Sequence, residues 1–130
     1  MARVTVTIAS HLAVQTHKES MSNPEDPVQR QLDAYNARDL TRFLAEYDDD
    51  VQVFRPPATE PTLSGKAAFG KHYADNRFNL PHLHARLVNR MVAGNKVVDH
   101  EHITGLPSGD MSAIAVYEVI ALRIRTVWFF

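Results

Sequence analysis

The chain contains no cysteine. Disulfides and thiol catalysis are therefore excluded, and the composition fits a reducing, cytoplasmic setting. It also lacks any apolar run near the roughly 20 residues that a membrane helix needs. Lysine and arginine total 14 against 15 aspartates and glutamates, without blocks of either sign. No membrane span and no nucleic-acid partner are expected from so even a balance. Phosphate-binding glycine loops, dinucleotide fingerprints and nucleophile–base triads are absent as well, so nothing implies a cofactor. What remains is 130 residues with 45% hydrophobic content, enough for one domain with a real core and too little for a second of ordinary size.

Residues 1–23 differ from the rest, with no acid before Glu19 and much Thr, Ser and Ala. They lack the long apolar core and small-residue cleavage pattern of a signal peptide, while Val4, Val6 and Ile8 alternate as in a strand. A strand-like or disordered arm is expected there, followed by a domain over 24–130. Asp26-Pro27 marks a helix start, with Val28, Leu32 and Tyr35 on one face to about residue 37. Asp39 caps a second helix with Leu40, Phe43, Leu44 and Tyr47 as its apolar face, and Asp48–Asp50 end it. "VQVF", 51–54, alternates as a strand, the prolines of "RPPATEP" indicate a loop, and Ser64 caps a third helix bearing Phe69 and Tyr73. From Leu83 the pattern becomes β: "LHARLVNRMV", a Gly94-Asn95 turn, "KVVDHEHIT", a "GLPSGD" turn, "MSAIAVYEV" and "IRTVWFF". Helices first and strands after predict an α+β domain with three helices against one face of a curved antiparallel sheet.

The stretches "VQRQLDAYNARDLTRFLAEYDDDVQVF", "SGKAAFGKHYA", "GNKVVDHEHITG" and "VYEV…VWFF" together resemble the SnoaL-like group of the NTF2-like superfamily, which includes ketosteroid isomerase. The resemblance covers about residues 27–130. It implies a cystatin-like cone with an apolar pocket between sheet and helices, and a homodimer through the outer sheet face. The family hosts isomerases, cyclases, hydratases and epoxide hydrolases, so the fold does not choose an activity. Isomerase catalysis needs a carboxylate base and donors for the enolate oxygen. The resemblance places that base on Arg55, the tyrosine donor on Gln31 and the protonated aspartate on Ala115, so the isomerase mechanism is not expected at those positions. "EVIALRIR", 118–125, departs from the family by lacking Gly, Asn or Asp at its last turn.

Asp99-His100-Glu101-His102 then becomes the point of interest. If Gly94-Asn95 are the central residues of a two-residue turn, Arg90 faces Asp99, Val88 faces Glu101 and Arg86 faces Ile103 on one side, with Asn89–His100 and Leu87–His102 on the other. Two histidines about 6.7 Å apart along a strand and without a third ligand do not make a metal site, so none is expected. Asp99 and Glu101 with Arg86 and Arg90 form either a solvated ion-pair ladder or the polar wall of a cavity. In the second case Asp99, Glu101 and His84 are the candidate proton-transfer groups, and Tyr35, Phe54, Arg55, Arg86, Arg90, Tyr117 and Trp128 the candidate substrate contacts, although aromatics at such spacing are commonly plain core. The expected function is binding of a small apolar cyclic molecule, with proton transfer or water addition if it is an enzyme. The alternative is a non-catalytic ligand-binding or protein-interaction module, the latter acting through its sheet surface and N-terminal arm.

Overall fold

The computed structural model describes residues 23–130, so all of the expected arm except Asn23 lies outside the described residues. In chain order the elements are α1 (Glu25–Asn36), α2 (Leu40–Ala45), β1 (Tyr47–Phe54), β2 (Leu63–Ser64), α3 (Lys66–Asn76), β3 (His84–Ala93), β4 (Lys96–Thr104), β5 (Met111–Ile120) and β6 (Arg123–Phe129). The strands form one sheet in the order β2-β1-β6-β5-β4-β3. β3 to β6 make an antiparallel meander, while β1 joins its edge parallel to β6.

Local chemistry explains most boundaries. Asp39 accepts a hydrogen bond from the Arg42 amide at 3.1 Å and caps α2, satisfying one of its orphan donors. α1 begins earlier than the Asp26-Pro27 signal implies, because the Asn23 side chain accepts from the Glu25 amide at 3.0 Å. The expected Ser64 cap is corrected: Gly65 occupies the cap of α3 with φ 89°, and Ser64 closes β2 instead. Tyr47 and Asp48–Asp50 belong to β1 rather than to α2 and a turn. The Ile124 amide donates to the Glu46 carbonyl at 2.9 Å, which ties that junction to β6.

The helices cover one face of the sheet. Val28, Leu32 and Tyr35 of α1, Phe43 of α2 and Phe69 and Tyr73 of α3 are buried against Val51, Val97, Ile124 and Val127 of the sheet. Phe43 lies at the centre of an aromatic cluster, with ring centroids 4.8 to 6.2 Å from Tyr35, Tyr47, Phe69, Tyr73 and Phe78. Full burial of such a ring contributes on the order of 2–3 kcal/mol. Asn36, at the end of α1, donates to the Ala85 carbonyl at 2.9 Å and accepts from the Ala85 amide at 2.8 Å. This two-way bond fixes the start of β3 beneath the helix.

Candidate functional site

The β3–β4 pairing begins as the Gly94-Asn95 turn dictates, with Ala93 opposite Lys96, Arg90 opposite Asp99 and Asn89 opposite His100. A bulge then follows. Leu87, not Val88, pairs with Glu101, Arg86 pairs with His102, and His84 pairs with Thr104. The Asn89 side chain accepts from the Arg90 amide at 2.9 Å, a local bond that competes with the ladder and accompanies the extra residue. Every residue before the bulge therefore changes face. His84 and Arg86 are exposed on the outer side, which corrects their expected place beside the acids, and Ala85 points inward.

Strand β4 alternates cleanly: Val97, Asp99, Glu101 and Ile103 are buried, and His100 and His102 are half-exposed on the outer face. Asp99 is fully buried and forms a bidentate pair with Arg90, Nε–Oδ1 2.7 Å and Nη2–Oδ2 2.9 Å. The remaining nitrogen of that guanidinium, Nη1, donates to Gln29 of α1 at 2.9 Å. Both charges are thus committed to a structural bridge between β3, β4 and α1, and neither lines the cavity beside them.

Glu101 differs. It is 7% exposed, and among the described residues no hydrogen bond or ion pair reaches its carboxyl. Burial pushes its pKa up to about 7, the nearby Asp99 adds to the rise, and Arg90 opposes it. Its neighbour across the ladder is Ala113, next to Ala115 opposite Asp99. Ala113, with Ala85 on β3, leaves space above the carboxyl that a larger side chain would fill.

That space is a cavity of about 50 Å³ between sheet and helices, lined by Glu101, Tyr35, Tyr73, Tyr117, Arg55 and Arg77 among others. One water needs roughly 10–15 Å³ of such space, so it takes a few water-sized groups. A recess of about 120 Å³ adjoins it and shares Arg55, His72, Tyr73 and Phe129. Gln31, 4% exposed, organises the inner wall: it accepts from the Tyr47 hydroxyl at 2.8 Å and donates to the Val28 carbonyl at 3.0 Å and the Tyr117 hydroxyl at 3.3 Å. The Tyr117 proton remains available, and the buried Tyr73 hydroxyl has no hydrogen-bond partner among the described residues. Burial raises the pKa of both well above the usual phenol, and it raises Tyr35 to about 12, partly offset by Arg77. All three stay protonated at neutral pH and can donate. No group of three or more His, Cys, Asp or Glu is placed to share a metal ion among the described residues.

Of the sequence candidates, the fold brings Glu101, Tyr35, Tyr117 and Arg55 to the cavity and sets Asp99 and Arg90 behind it. Phe54 and Trp128 are corrected. They pair across β1 and β6 and stack at 6.2 Å on the opposite face of the sheet, because Val53 and Val127 take the inward positions. Sequence reasoning missed His72, Tyr73 and Arg77 as cavity residues. His72 and Tyr73 follow Phe69 at helical spacing, which was the available signal, and Ala113 joins Tyr117 in the cavity lining from β5.

The sequence profile of the SnoaL-like domain family matches residues 28–126. A comparison with curated protein sequences gave no match. Among solved structures, an uncharacterised cystatin-fold protein from Novosphingobium aromaticivorans superposes with TM-score 0.76 at 21% identity, covering 83% of this chain and 97% of that one. A protein from Kribbella flavida provisionally assigned as a ketosteroid isomerase gives 0.70 at 16%, covering 82% and 76%. One from Sinorhizobium meliloti provisionally assigned as a polyketide cyclase gives 0.69 at 16%, covering 81% and 94%. At these identities the structural likeness shows the fold, a cystatin-like NTF2 cone, and the profile match shows the family: this chain belongs to the SnoaL-like domain family.

Proposed function

We propose that the chain binds a small, largely apolar cyclic molecule across its cavity and the adjoining recess and that Glu101 transfers a proton to or from it, or activates a water for addition. One observation carries this reading: Glu101 is a buried carboxyl without a partner among the described residues, at a cavity, with its pKa raised to about 7. A group that titrates near neutrality can accept and return a proton with little cost in either direction. The neutral hydroxyls of Tyr73 and Tyr117 line the same cavity and would donate to oxygen in such a substrate. The neighbouring folds assigned to isomerase and cyclase activity are compatible with this chemistry and do not select it. The resemblance assigns the ketosteroid-isomerase base and donors to Arg55, Gln31 and Ala115, so that mechanism is not part of this proposal.

The test is exchange of the α-hydrogens of cyclopentanone in D₂O, followed by NMR with the wild-type chain and with Glu101→Gln. The wild type is expected to accelerate exchange by at least about 100-fold over the variant, the usual scale of general-base catalysis. Equal rates with the two proteins would remove Glu101 from any proton-transfer role and leave ligand binding as the remaining reading.

A further inference from the structure

The cavity is asymmetric in charge. Its buried floor carries Glu101, whereas its solvent end is bordered by Arg55, which is exposed, and by His72 and Arg77, which are half-buried. Arg55 lies just beyond β1, with its guanidinium 5.0 Å from the Phe129 ring centroid. Arg77 follows α3 and donates to the Asn76 carbonyl at 2.8 Å. Among the described residues neither guanidinium has a carboxylate within 4.0 Å. Arg30, Arg42 and Arg90, elsewhere in the fold, each have one. The two cations act on the same place: burial lowers the His72 pKa, and Arg77 and then Arg55 lower it further. Arg55 and His72 also border the adjoining recess. Two guanidiniums that converge on one opening, beside a neutral imidazole and the free Tyr73 hydroxyl, form a receptor for a planar anion.

We propose that this opening binds the carboxylate of a small organic acid, held by Arg55 and Arg77, with the apolar part of the acid directed toward Glu101. The inference rests on the reading of the cavity as a ligand site and narrows its substrate class to carboxylic acids. The geometry gives the acid one orientation. Its charged end cannot approach the floor without meeting Glu101, and its apolar end has no place between two guanidiniums. The reacting carbon therefore lies away from the carboxylate and next to the one proton-transferring group.

The experiment compares cyclopentanecarboxylate with its neutral amide, cyclopentanecarboxamide, as probes. Backbone amide shifts of the full chain are followed during titration at fixed pH and ionic strength. The carboxylate is expected to bind about tenfold or more tightly than the amide, the scale of a charge-assisted hydrogen bond. Arg77→Gln and Arg55→Gln should each weaken carboxylate binding more than amide binding and so reduce that preference, and Glu101→Gln should preserve it. Equal affinity for both probes, or a preference that survives both arginine substitutions, overturns the anion site while the cavity stands. Failure of both probes to bind overturns the ligand-site reading together with it. The wild-type comparison needs no variant to fold, so the outcome is decided even if Arg77→Gln is unstable.

Discussion

Two carboxylates stand two residues apart on β4 with opposite roles, and the difference is the position of one arginine. Arg90 gives Asp99 two short bonds and gives Glu101 none. Asp99 is therefore a buried structural ion, and removing its partner would cost on the order of 3–5 kcal/mol. Glu101 carries its desolvation cost uncompensated, and the sign of its pH effect follows. In the unfolded chain it ionises near its ordinary value of 4.5, whereas in the fold it keeps its proton to about 7. Its contribution to stability is fully present below 4.5 and is lost as pH rises through 7, by roughly 3 kcal/mol in all. Chemical denaturation of the wild type across pH 5 to 8 should show that decline, and Glu101→Gln should not. That both acids share one face was legible from strand alternation, whereas the choice of that face as the inner one was not. Their different fates were not, because alternation assigns a face and says nothing about which arginine reaches which carboxyl.

At the scale of elements, the β3–β4 hairpin shows where such reading stops. The Gly94-Asn95 turn determined the register as far as Asn89–His100, and one extra residue at Val88 then moved His84 and Arg86 to the other face. A bulge is invisible to periodicity because it is a local change of parity, here accompanied by the Asn89 back-bond. Phe54 and Trp128 were misplaced by one position for a similar reason, since an apolar run such as "VWFF" does not reveal which of its residues faces the core. The β5–β6 turn is the reverse case. Its lack of Gly, Asn or Asp is real, and Ala121 and Leu122 both take left-handed conformations, φ 51° and 66°. The strands on either side hold them there, together with the Val119 amide, which donates to the Asn95 carbonyl at 2.9 Å. Replacing Ala121 by Asn and Leu122 by Gly should relieve that strain and raise stability by roughly 1–2 kcal/mol in urea unfolding. Unchanged or lower stability would mean that Leu122 packs usefully in its present place.

For the whole molecule, the order of helices and strands was enough to give an α+β domain, the family resemblance added the cone, and the family match over residues 28–126 agrees with both. The cavity's contents were half legible, because Arg77 and His72 come from α3 and meet Glu101 only when that helix folds over the sheet. The opposite face of the sheet carries an apolar row that crosses five strands, Phe54, Trp128, Val116, Val98 and Met91 in register, with Ile114 and Phe130 exposed next to it. We propose that two copies of the chain pair through this face, since a contiguous exposed apolar patch is the usual mark of an interface. Sedimentation should give twice the mass of the chain for the wild type and the single mass for Val116→Lys, and a wild-type monomer would refute the pairing. The central claim concerns the other face, and the most direct measurement is a carbon-13 NMR titration of the Glu101 side-chain carboxyl, assigned by its loss in Glu101→Gln. A midpoint near pH 7 is the predicted result. A midpoint near 4.5 would show a solvated or paired carboxylate and would contradict the account of the cavity as a proton-transfer site.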